Sequence, residues 1–148
     1  MSGDPRHGMT SPPSAFHELV EHTADVGIRA WGPSLGDAFE HAAWGLVDIL
    51  GAHADRVDET RVISLTATDR GALLVDLLNV LVAMCDTEDA SVASVHVTPT
   101  GAEELRAEIG IALHATPDGL DVKAATYHAL SVIEAAGGAT EVVVFLDV

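Results

Sequence analysis

The sequence predicts an α+β fold in which a mixed, mostly antiparallel sheet packs against two long helices. Two stretches, one after Ser34 and one after Asp69, place apolar residues at the three-and-four spacing of a helix face. Seven shorter stretches alternate, or run apolar, over the length of a strand. Pro99-Thr100-Gly101 and Gly137-Gly138 supply turn chemistry between consecutive strands, which favours antiparallel hairpins. Strand runs and helices in this order point to α+β rather than to a doubly wound parallel sheet.

Residues 1–14, rich in Pro, Gly and Ser without apolar periodicity, read as a flexible N-terminal tail, and residues 15–148 as one domain. Phe16 to Glu21 and Val26 to Trp31 read as short strands separated by the polar His22-Thr23-Ala24-Asp25. Ser34 then N-caps a helix whose Leu35, Ala38, Phe39, Ala42, Ala43, Leu46, Ile49 and Leu50 form one face, and Gly51 stops it. Asp37, Glu40, His41 and Asp48 are expected to face water. Thr60 to Thr68 alternates as a strand. Asp69 caps a second helix, whose Leu73, Leu74, Leu77, Leu78, Val80, Leu81 and Met84 make a stripe wide enough to be buried on most of its circumference. Ser91 to Thr98 and Glu103 to His114 form one hairpin. Lys123 to Glu134 and Glu141 to Val148 form a second.

Charge narrows the function. The chain of 148 residues carries 7 Lys plus Arg against 23 Asp plus Glu, a formal net charge of −16. With 48% hydrophobic residues the chain is not compositionally disordered. Lys123 is the single lysine, so too few cations exist to neutralise phosphates, and direct binding of DNA or RNA is not expected. No apolar run reaches the roughly 20 residues of a membrane span, and no secretory signal is visible, so a cytoplasmic location with a reduced Cys85 is expected.

Familiar sites are missing from the sequence: no Cys-x-x-Cys, no His-Glu-x-x-His, no phosphate-binding P-loop, no Gly-x-Gly-x-x-Gly and no Gly-x-Ser-x-Gly elbow. Gly137-Gly138 lacks a following helix and reads as a hairpin turn. Cys85, at the end of an apolar helix with Asp86, Glu88 and Asp89 close behind, reads as a structural thiol with a raised pKa. His41, His53, His96 and His114 are isolated and read as surface or hydrogen-bonded side chains. His22 and His128 lie beside other polar groups, in His-Thr-Ala-Asp and Thr-Tyr-His, where a structural hydrogen bond and a functional contact are both open. Asp25 precedes an apolar strand and Asp147 interrupts the last one. Such carboxylates are costly unless paired, solvated as strand-end charges or turn caps, or bound to a cation. Together with a main-chain or terminal oxygen from Val148 they would make an all-oxygen shell suited to Ca²⁺, Mg²⁺ or Mn²⁺.

Taken in order, Glu21-His22-Thr23-Ala24-Asp25-Val26-Gly27, Trp31-Gly32 with its alanine-rich helix, Leu73-Leu74-Val75-Asp76-Leu77-Leu78-Asn79, Val122-Lys123-Ala124-Ala125-Thr126-Tyr127-His128 and Leu146-Asp147-Val148 resemble archease. The likeness spans Phe16 to Val148, with Glu21 where the family string often begins with Asp. The resemblance implies an archease-like α+β fold and a non-catalytic protein cofactor of the GTP-dependent RNA ligase. That ligase joins 3′-phosphate or 2′,3′-cyclic phosphate ends in tRNA splicing or RNA repair. Archease promotes its guanylylation and repeated turnover. By the same resemblance Asp25, Asp147 and Val148 are the expected metal ligands, a set that binds weakly unless water or the ligase adds oxygens. Lys123 is the expected contact for partner or nucleotide, with His22 and His128 as further candidates. GTP would be used by the ligase, and RNA would be met only through it. A chaperone-like modulator of other RNA-modifying enzymes and a stand-alone metal-dependent hydrolase are the alternatives. The hydrolase lacks a visible nucleophile or complete metal triad.

Overall fold

The computed structural model describes residues 16–21 and 25–148; the predicted tail and His22 lie outside the described residues. The strands and helices run β1 (His17–Glu21), β2 (Asp25–Gly32), α1 (Leu35–Leu50), β3 (Glu59–Thr66), α2 (Arg70–Thr87), β4 (Ser91–Gly101), β5 (Glu104–Ala112), β6 (Ala124–Glu134) and β7 (Thr140–Asp147). The α+β class with two long helices and antiparallel sheets is as expected. The strands divide between two sheets, with orders β1-β2-β7-β6 and β3-β5-β4, where one sheet was expected. Every pairing of described strands is antiparallel. An isolated bridge between His53 and Val92 runs parallel.

Local signals set the helix ends. Ser34 Oγ accepts the Asp37 N–H at 3.1 Å and Asp69 Oδ1 accepts the Ala72 N–H at 2.8 Å, each satisfying an otherwise orphaned donor of a first turn. Gly51 ends α1 in the left-handed region at φ 61°. Its hairpin counterpart, Gly138, turns β6 into β7 at φ 96°.

α1 lies between the sheets, packed on β2 on one side and on β4 on the other. Small residues let the backbone approach both. A Cβ at Gly36 would stand 2.7 Å from the Val97 carbonyl oxygen, and one at Gly45 would stand 2.9 Å from Ile28 Cγ2. This placement corrects the expectation that the polar residues of α1 face water. Glu40 accepts the Val97 N–H of edge strand β4 at 2.9 Å. His41 Nδ1 lies 2.6 Å from the Trp31 carbonyl oxygen. Asp48 binds His17 of β1 at 2.8 Å and also His53. Apolar periodicity alone could not reveal this, because a helix covered on two sides must turn its polar residues toward strands as well as toward solvent. α2 packs mainly on β6. Cys85 on it is buried, with its thiol pushed up to about 11 by that burial, as the sequence suggested.

The Asp48 contacts fasten β1, the strand paired with β2, onto α1. Burial pushes the Asp48 carboxyl up, but hydrogen bonds and charge from His17 and His53 outweigh it and hold the carboxyl below its usual range. A carboxyl depressed on folding contributes stability above its unfolded pKa, near 3.9, and loses it as the pH falls through the lower folded value. Asp48→Asn is therefore expected to lower Tm by several degrees at neutral pH, with the gap from wild type closing below about pH 4. Circular dichroism melts across that range check it. A gap independent of pH would show that the clamp is not ionic.

Candidate functional site

The site is built by register in the first sheet. In β2 and β7 the residues Ile28, Ala30, Val142, Val144 and Leu146 are fully buried against the helices. Alternation then puts Asp25 and Asp147 on the opposite face. They are direct register partners, at the end where β2 begins and β7 finishes. On its other side Asp147 is paired with Ala124 of β6, and its carbonyl accepts the Lys123 N–H at 2.8 Å. Residues far apart in the chain thus meet at one sheet end. Side chains directly opposite across an antiparallel pair have Cβ atoms about 4.5–5.5 Å apart, where like charges repel.

Val148 follows Asp147 at this end and is 39% exposed. Lys123 is exposed and lines an open groove of about 440 Å³ between α2 and the start of β6, together with Asn79, Asp86 and Asp121. It forms no ion pair with a described residue. A smaller cavity of about 190 Å³ lies beside Cys85 and is lined by neither Asp25 nor Asp147.

His128 reaches the same face by an irregularity that the sequence did not announce. The register steps from Thr126 opposite Phe145 to Ser131 opposite Val143, so residues 127–130 of β6 stand opposite Val144 alone. Within the bulge Ala129 has φ 53°, in the left-handed region. Leu130 is partly buried over Gly71 at the start of α2. The His128 ring meets Phe145 edge-on at 6.1 Å, one inward-facing residue away from Asp147 along β7. Tyr127 is 62% exposed beside it.

Of the predicted site residues, the fold therefore brings Asp25, Asp147, Val148 and the Lys123 backbone to one sheet end, and puts His128 against Phe145 on the same face. Lys123 also lines the groove beside α2, and His22 lies outside the described residues. Among the described residues no three His, Cys, Asp or Glu side chains form a group able to hold a metal. Among the described residues the donors at the sheet end are two carboxylates and main-chain oxygens, and that chemistry fits a hard cation better than zinc. Asn79 ends the Leu73–Asn79 string of α2. Its carboxamide bonds Ala125 of β6, and an asparagine amid the leucines of a buried helix was the available signal.

Comparisons with known proteins agree with this architecture. A sequence model of the archease protein family matches residues 17–148. The chain is 30% identical over 135 residues to protein archease of Methanosarcina mazei, covering 82% of this chain and 89% of the relative. It is 38% identical over 73 residues to protein archease of Thermococcus kodakarensis, where the match covers 48% of this chain and the chain spans about half, 51%, of the relative. The solution structure of protein 1598 of Methanobacterium thermoautotrophicum superposes with a TM-score of 0.70 at 27% identity, covering 89% of this chain and 98% of that one. The crystal structure of an archease, described as a possible chaperone, from Thermotoga maritima gives 0.63 at 22% identity, covering 88% and 96%, and shows the fold alone.

Proposed function

Because the chain belongs to the archease family, we propose that it is a non-catalytic activator of a GTP-dependent RNA ligase, acting through the sheet end that carries Asp25 and Asp147. The observation that supports this reading is the direct cross-strand pairing of the two carboxylates, with Lys123 bonded through its backbone to Asp147. An unrelieved pair of like charges at that position is unfavourable. Asp25, Asp147 and main-chain oxygen of Val148 would hold a divalent cation, Ca²⁺, Mg²⁺ or Mn²⁺. Such a cation, when bound, supplies positive charge that stabilises phosphoryl transfer.

The chain's own residues do the rest. Lys123, without an ion-pair partner among the described residues, would meet a phosphate of the ligase-bound nucleotide or an acidic group of the ligase. The net charge of −16 repels RNA and draws the protein toward a basic ligase surface, which steers encounter and weakens as salt rises. RNA is thus met through the partner, and GTP is consumed at the ligase's own histidine.

The test is multiple-turnover joining of RNA bearing a 2′,3′-cyclic phosphate end by purified ligase with GTP and Mn²⁺. Wild-type protein is expected to raise the number of joining events per ligase severalfold, and Lys123→Ala to remove most of that gain. No gain with wild type would overturn the reading. Phosphatase or nuclease activity of the protein alone, lost in Asp147→Ala, would favour a hydrolase instead.

A further inference from the structure

Asn79 lies on α2 among Leu77, Leu78 and Leu81, all fully buried. An asparagine in mid-helix forfeits helix propensity relative to leucine, because its carboxamide competes for backbone groups. Here the carboxamide is spent on β6. Oδ1 accepts the Ala125 N–H at 2.7 Å and Nδ2 donates to the Ala125 carbonyl at 3.4 Å. β6 is the edge of its sheet, and β7 is its neighbour on the other side. A carboxamide presents one donor and one acceptor, as a residue of a flanking strand would, so Asn79 stands in for a missing strand at Ala125.

The place of that bond gives it meaning. Ala125 follows Ala124, the register partner of Asp147, and lies two residues beyond Lys123, whose N–H bonds the Asp147 carbonyl. The fold has one comparable device among its described edges: Glu40 accepts the Val97 N–H of β4, on the other sheet and through a single bond. Among the described edges only Ala125 has both backbone groups taken in this way, directly after the two residues that meet Asp147.

We infer that Asn79 is a positioning residue for the activating site, fixing the first residues of β6 so that Lys123 is presented beside Asp147. This rests on the proposed function, in which Lys123 makes a productive contact. Alanine at position 79 would preserve the helix, since alanine is the best helix former, while leaving the Ala125 N–H and carbonyl without their partner. Aspartate would keep the shorter bond, to the N–H, and lose the longer one.

Two measurements on the full chain test it. In amide hydrogen exchange followed by NMR, Asn79→Ala is expected to speed exchange at Ala125 and Lys123 about tenfold or more, leaving Ile109 in the other sheet unchanged, with Asn79→Asp close to wild type. In the ligation assay, Asn79→Ala is expected to cut stimulation about tenfold in the wild-type background. In the Lys123→Ala background it should cut it less than about twofold, because a residue acting through Lys123 has little left to lose. Equal losses in both backgrounds, or unchanged exchange at Ala125, would overturn the inference while leaving the site reading in place. A Lys123→Ala variant that stimulates like wild type would overturn the site reading and this inference with it. If Asn79→Ala does not fold, Asn79→Leu, which keeps the helix and removes both bonds, carries the test: exchange at Ala125 about tenfold faster supports the inference, and exchange as slow as wild type opposes it.

Discussion

Alanine at Asp147, or at Asp25, is expected to weaken Mn²⁺ binding by the isolated protein at least about 100-fold, since even groups behind metal ligands are worth about 10–100-fold in affinity. The two carboxylates are register partners, so either one alone leaves a lone carboxylate and main-chain oxygens at the sheet end. The metal-free protein should respond in the opposite direction. In chelator, Asp25→Asn is expected to raise stability by about 0.2–1 kcal/mol, because it removes a like-charge pair directly opposite across the sheet. Adding Mn²⁺ should then raise the Tm of wild type and not of the variant, since a ligand that binds only the folded state stabilises it in proportion to its occupancy. Calorimetric titration and melts with and without Mn²⁺ measure both. Destabilisation of equal size with and without metal would instead make Asp25 a structural residue.

Phe39→Ala is expected to cost about 3–5 kcal/mol, the range for deleting a buried phenylalanine. For a chain of this size that lowers Tm by roughly 6–20 °C. Phe39 is fully buried on α1, which packs on both sheets, so few directions remain from which neighbours could collapse into the space. Val62→Ala, on the exposed face of β3 where Val62 is 53% exposed, should change stability by less than about 0.5 kcal/mol. Thermal melts of the two variants side by side check the placement of α1. A small loss for Phe39→Ala would mean that α1 is not held between two sheets.

The parts of the fold that were legible in the sequence are those set within a few residues. Ser34, Asp69 and Gly51 mark helix ends because a cap is satisfied by its own first or last turn. The exposed Thr60, Val62, Ser64 and Thr66 of β3 follow from alternation alone. What stayed hidden depends on partners distant in the chain. The division into two sheets is a choice among strands, and hairpin turns do not dictate which hairpins share a sheet. The roles of Glu40, His41 and Asp48 appear only once strands lie on both sides of α1. Asp25 and Asp147 each stand out in the sequence because a carboxylate beside apolar strand residues is unusual. That they face each other required the register of β2 on β7. The bulge that sets His128 against Phe145 left no signal, because no glycine marks the left-handed turn at Ala129.

The proposed activation is tested most directly by the number of guanylylation events supported per molecule of ligase. Ligase, Mn²⁺, unlabelled RNA ends and GTP labelled on the α-phosphate would be mixed with wild-type protein at a tenth of the ligase concentration. Ligase-bound label and released pyrophosphate would then be counted against the Asp25→Ala, Asp147→Ala double variant. The expected result is many guanylylations per ligase with wild type and the unassisted level with the double variant. Equal counts for the two would contradict a role for the paired carboxylates, and counts no higher than ligase alone with wild type would contradict the activator itself.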